Sequence, residues 1–95
     1  MSRAKFILEA KRFFFGDFSP GSFLIVVDDF YLYDIISGQQ IELVEDDILV
    51  VKEKELGTYY LALLDHLHHE SLTMQVLSRV VHDSVKQGYL KDMNI

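Results

Sequence analysis

A chain of 95 residues has material for one hydrophobic core and no room for a second, so residues 1–95 are read as a single domain. Cysteine is absent, which excludes disulfides, thiolate metal sites and thiol catalysis and fits a reducing compartment; a cytoplasmic location is the expectation. The formal net charge of -6 disfavours direct contact with nucleic acid, and no apolar run approaches the roughly 20 residues of a membrane-spanning helix.

In chain order, Phe6, Ile7, Ala10, Phe13 and Phe14 recur at helical spacing with Lys5, Glu9 and Arg12 opposite, which predicts a helix over residues 3–14. The charges that interrupt this stretch also argue against a secretory leader. Gly16 to Gly21, with the chain's one proline at position 20, then breaks the helix.

Short runs rich in β-branched and aromatic residues follow: Ser22 to Val27, Phe30 to Ile36, Gln40 to Val44 and Ile48 to Glu53. Asp28-Asp29, Ser37-Gly38-Gln39 and Glu45-Asp46-Asp47 separate them, each short enough to join antiparallel neighbours. Leu56-Gly57 supplies a further tight connection and makes Thr58 to Leu64 a fifth strand; Tyr60, Leu61, Leu64, Leu67 and His68 also fit helical spacing, and the strand is preferred. Ser71 is placed as the cap of a last helix over 72–87, on a stripe of Leu72, Val76, Leu77, Val80, Val81 and Val85 that ends at Gly88.

The expected fold is therefore α+β: an N-terminal helix, an antiparallel meander of four or five short strands, and a C-terminal helix. Leu24 to Val27 and Ile48 to Val51 are apolar on both strand faces, so both faces need cover. Two helices cover one. The other is closed either by curling into a small barrel of SH3-like plan or by a second chain, and a homo-oligomer is expected.

Charge is unevenly distributed along the chain. Residues 1–12 carry Arg3, Lys5, Lys11 and Arg12 against Glu9, whereas Phe13 to Val50 hold eight acids and no Lys or Arg. A one-signed segment of this kind suits a basic partner. Asp28, Asp29, Asp34, Glu42, Glu45, Asp46 and Asp47 are accordingly the expected interface, with spaced carboxylates that could imitate a row of phosphates. Aromatic residues beyond the needs of a core offer a second set, Phe15, Phe18, Tyr31 and Tyr33.

Catalytic signatures are missing: the sequence has no Gly-rich phosphate loop and no nucleophile elbow. Metal-ligand residue types concentrate only in Asp65-His66-Leu67-His68-His69-Glu70, where a helix would present His66 with Glu70, or Asp65 with His69, on one face. This spacing fits no tight metal template, and no metal or other cofactor is expected. The reading favoured by the sequence is a non-enzymatic regulatory or inhibitory protein that binds another protein with a basic surface. A metal-dependent enzyme built on His66 to Glu70, or a self-assembling structural protein, are the alternatives.

Overall fold

A computed structural model describes residues 17–93. The helix expected over 3–14, and Phe15, lie outside the described residues.

Seven strands and one helix follow in order: β1 (Phe23–Val26), β2 (Phe30–Asp34), β3 (Gln39–Leu43), β4 (Ile48–Glu55), β5 (Thr58–Leu64), β6 (Glu70–Leu77), α1 (Ser78–Lys86) and β7 (Leu90–Asp92). Five strands form one antiparallel sheet in the order β6-β5-β4-β1-β7, and β2 with β3 form a separate hairpin. The hairpin crosses the core from one side of the sheet to the other. At one end the Phe30 ring stacks on Tyr89, 5.2 Å between centroids, next to the Val27 N–H that donates to the Tyr89 carbonyl at 2.8 Å. At the other end the Ile35 N–H donates to the Gln75 carbonyl of β6 at 2.9 Å. The five-stranded sheet does not close into a barrel by strand pairing; the hairpin bridges its two sides.

Strand alternation explains the core. Leu24 and Val26 of β1, Leu49 and Val51 of β4, Leu61 of β5, and Met74 and Val76 of β6 point to the same side, where Leu32 and Leu43 of the hairpin and Val81 of α1 meet them. Each is essentially removed from water, which stabilises the fold by about 1.5 to 3 kcal/mol per large side chain. The opposite face, also apolar in sequence, is only half-covered: Ile25, Ile48 and Val50 are half-buried and Phe23 is exposed.

The α+β expectation is corrected at its C-terminal end. Residues 70–77 are not the start of a helix but strand β6, and the helix is limited to nine residues and followed by another strand, so the described chain is mostly β. The reason is a competition of periods. Leu72, Val76 and Leu77 fit a helical stripe, but Leu72, Met74 and Val76 also alternate with Ser71, Thr73 and Gln75. Only the extended form pairs with β5, from Thr58↔Leu77 to Leu64↔Glu70, and this ladder satisfies the backbone of both strands. Ser71 is therefore no helix cap; its hydroxyl donates to the Leu63 carbonyl at 3.0 Å. The helix ends in a Schellman turn, with the Gly88 N–H on the Val85 carbonyl, the Tyr89 N–H on the Ser84 carbonyl, and Gly88 at φ 87°. That turn sends the chain into β7. Among the described residues no helix is long and apolar enough to cross a membrane.

Candidate functional site

The sheet order makes neighbours of two turns that are apart in sequence. The Val26 N–H donates to the Asp47 carbonyl and the Asp46 N–H to the Val26 carbonyl, both at 2.8 Å. The Asp29 carboxylate accepts the Glu45 N–H at 2.8 Å, and Asp47 accepts the Val44 N–H at 2.9 Å. The β1–β2 and β3–β4 turns thus form one cap carrying Asp28, Asp29, Glu45, Asp46 and Asp47. Asp46 sits at φ 75°, a left-handed conformation that Asp tolerates better than most residues, so its presence has a backbone reason as well as a charge.

From this cap the outer face of the β2–β3 hairpin runs away as a polar and aromatic strip. Alternation turns Leu32 and Leu43 into the core and therefore turns Tyr31 and Tyr33 outward, 59% and 49% exposed. Tyr31 lies opposite Glu42 and Tyr33 opposite Gln40 in the ladder, and Val44 extends the strip toward the cap, exposed as well. Six acids and two exposed tyrosines are therefore spread over the cap and the outer face of the hairpin, with no Lys or Arg in the segment that builds them. Tyrosine is enriched at protein interfaces because a rigid ring offers contact area at low entropic cost while its hydroxyl stays paired or wet.

Comparison with protein-family models, with curated proteins and with solved structures finds no match.

Two residues expected at the interface are placed elsewhere. Asp34 is only 7% exposed, and its carboxylate accepts the N–H groups of Gln75 at 3.0 Å, Ile36 at 3.1 Å and Ser37 at 3.4 Å. Burial pushes its carboxyl up, but the Gln75 N–H, the Ser37 hydroxyl and the Ile36 and Ser37 N–H groups outweigh that and hold it below the usual carboxylate range. Asp34 is the fastener between the hairpin and β6, not a surface charge. Phe18, equally buried, packs on the His82 ring at 5.2 Å and the Tyr59 ring at 5.9 Å.

The His66 to Glu70 segment is not helical. Residues 65–69 are the β5–β6 turn, in which Asp65 accepts the N–H groups of Leu67 and His69 at 2.9 Å each while His68 adopts φ 63°, and Glu70 opens β6. The Asp65 carboxyl is lowered first by the His69 N–H. His66, His68 and His69 face solvent, and Glu70 pairs with Lys52. Among the described residues no three His, Asp or Glu side chains are grouped so as to hold a metal ion, and the i, i+4 pairing that a metal-dependent enzyme would have used does not exist.

A second constellation was invisible in sequence. At the far end of the β4–β5 hairpin, Asp17 pairs with Lys54 through one carboxylate oxygen; the other accepts the Tyr59 hydroxyl at 3.2 Å and lies 3.0 Å from His82 Nε2. Tyr59 Oη in turn accepts the Phe18 N–H at 3.1 Å and lies 2.9 Å from His82 Nε2. All these contacts are donor–acceptor pairs when Nε2 carries the proton. The Lys54 hydrogen bond, working against burial and assisted by Tyr59 and His82, holds the Asp17 carboxyl below the usual range. Burial, opposed by the Phe18 N–H and reinforced by the Asp17 charge, pushes the Tyr59 phenol up to about 12. The cluster ties the approach to β1, the β4–β5 hairpin and α1 together, beside an open cleft of about 720 Å³ lined by Leu56, Leu77 and Arg79 among others.

Proposed function

We propose that this chain is a non-enzymatic binding protein, regulatory or inhibitory in effect, that engages a basic partner protein through the acid cap and the tyrosine strip. The observation that carries this reading is the convergence of the Asp28-Asp29 and Glu45-Asp46-Asp47 turns beside exposed Tyr31 and Tyr33. Clustered acids raise the encounter rate with a positively charged surface, and the tyrosines supply desolvated contact once the surfaces meet. The same field repels nucleic acid, so the surface suits a protein that itself handles phosphate-bearing molecules.

The test needs a variant that alters charge without dismantling the cap. Asp29 and Asp47 accept backbone N–H groups of the turns and are left in place. Glu42→Lys, Glu45→Lys and Asp46→Asn are combined instead, asparagine being tolerated at positive φ. A partner recovered from the source cells on immobilised wild type is then measured for association rate against ionic strength. The expected result is a steep salt dependence for wild type and a slower, flatter one for the variant. Equal rates and equal salt slopes would refute the reading.

A further inference from the structure

The two sheets present four outer edges, and they differ in how available their backbone is. The outer edge of β2 leads into the seam with β6, where the Ile35 N–H donates to the Gln75 carbonyl and the Asp34 carboxylate accepts the Gln75 N–H. β7 has three residues. The β6 edge is bulged at Ser71, which falls between the Leu63↔Leu72 and Leu64↔Glu70 pairs, and is occupied at Gln75 by the Asp34 carboxylate and the Ile35 N–H. β3 is different. Its five residues pair with β2 on one side, and among the described residues no strand pairs with the other.

Natural edge strands are blunted by Lys, Pro, a bulge or a cover. β3, Gln39-Gln40-Ile41-Glu42-Leu43, has neither Lys nor Pro, an unbroken register with β2, and side chains exposed at Gln39, Gln40 and Glu42. Its two faces ask for different neighbours: Gln40 and Glu42 stand on the tyrosine strip, while Ile41 is half-buried on the opposite side.

Taking the proposed function as its basis, we infer that β3 accepts an extended, basic segment of the partner protein as an added strand. Main-chain hydrogen bonds along the open edge supply the affinity and alternate side-chain positions supply the selectivity. A strand about 4.8 Å beyond β3 places every second residue beside Gln40 and Glu42, where a Lys or Arg can lie across them toward Tyr31 and Tyr33. The intervening residues meet Ile41 and are apolar. The segment is therefore one of alternating basic and apolar character. A second copy of this chain is the weaker occupant, because it would bring its own Glu42, Glu45 and Asp46 to an edge already carrying those charges.

The probe is a blocked peptide of about nine residues alternating lysine and valine, long enough to cover β3, titrated into isotope-labelled full-length protein at low ionic strength. Two further versions carry N-methyl groups on alternate residues, one removing the donors of each peptide edge while keeping every charge. The amide signals of Gln39 to Leu43 are expected to shift and gain exchange protection. One N-methylated peptide should lose at least about tenfold in affinity relative to the other, since several hydrogen bonds disappear. Equal affinity for both methylated forms, with shifts confined to Tyr31, Tyr33 and the acid turns, would overturn the added strand and leave the acid-cap reading standing. Absence of any change at Gln39 to Leu43 would also overturn it, as would equal binding of a glutamate–valine peptide. Failure of the acid-cap reading is registered separately, by the salt dependence of the recovered partner.

Discussion

The two ends of the molecule use aspartate in opposite ways. At the junction of β4, β5 and α1, and at the hairpin–β6 seam, Asp17 and Asp34 are enclosed by donors: a lysine, a tyrosine and a histidine in the first case, three backbone N–H groups in the second. At the cap, Glu45 and Asp46 lie in exposed turns and their charges face water. Asp28, Asp29 and Asp47 stand between these extremes, each bonding one turn N–H while contributing to the same negative field. The difference teaches that an acid-rich segment is not one functional unit. Donor geometry decides which carboxylates hold the fold and which remain for a partner.

That contrast is sharpest under substitution. Asp34→Ala removes an acceptor from three N–H groups, one of them on a buried strand residue, and is expected to lower unfolding free energy by about 2 to 4 kcal/mol, read by denaturant titration. A loss below about 0.5 kcal/mol would place Asp34 with the cap acids. Tyr59→Phe should cost less, about 1 to 2 kcal/mol, because the Phe18 N–H loses its acceptor while the ring packing is kept.

Acidification separates the ends without mutation. Asp17 and Asp34 have folded-state carboxyls below their ordinary values, so their stabilisation is fully present above the unfolded-state value near 4 and is lost as pH falls through the lowered folded values. Stability measured from neutral to strongly acidic pH should therefore drop in that window, and Asp34→Asn should flatten part of the drop. An unchanged slope in Asp34→Asn would break the assignment. The smallest effect on folding belongs to the cap: Glu42→Lys, Glu45→Lys and Asp46→Asn together should change stability by no more than about 1 kcal/mol. Their effect is expected on association instead.

The strands from Phe23 to Leu64 were legible because short runs of β-branched and aromatic residues alternate with Asp, Gly and Ser turns, a local signal. The boundary at Leu77 was not. Leu72, Val76 and Leu77 satisfy two periods at once, and the choice rests on a ladder with β5 that no local window contains. The division among the acids was hidden for the same reason. Asp34 meets Gln75 across 41 residues, and Asp17 meets Tyr59 and His82 across 42 and 65, so composition alone grouped Asp34 with the surface charges and Phe18 with the surface aromatics. The cap, by contrast, could be anticipated as turns; what sequence could not supply was their meeting, which depends on β1 lying beside β4.

The division of labour between the two ends is tested most directly by amide hydrogen exchange of the full-length protein, free and saturated with the partner recovered on it. New protection is expected over residues 28–33 and 39–46, with residues 54–59 and 78–82 unchanged. Protection gained around Lys54, Tyr59 and His82 with none along the β2–β3 hairpin would contradict it and transfer the binding site to the cleft beside Asp17.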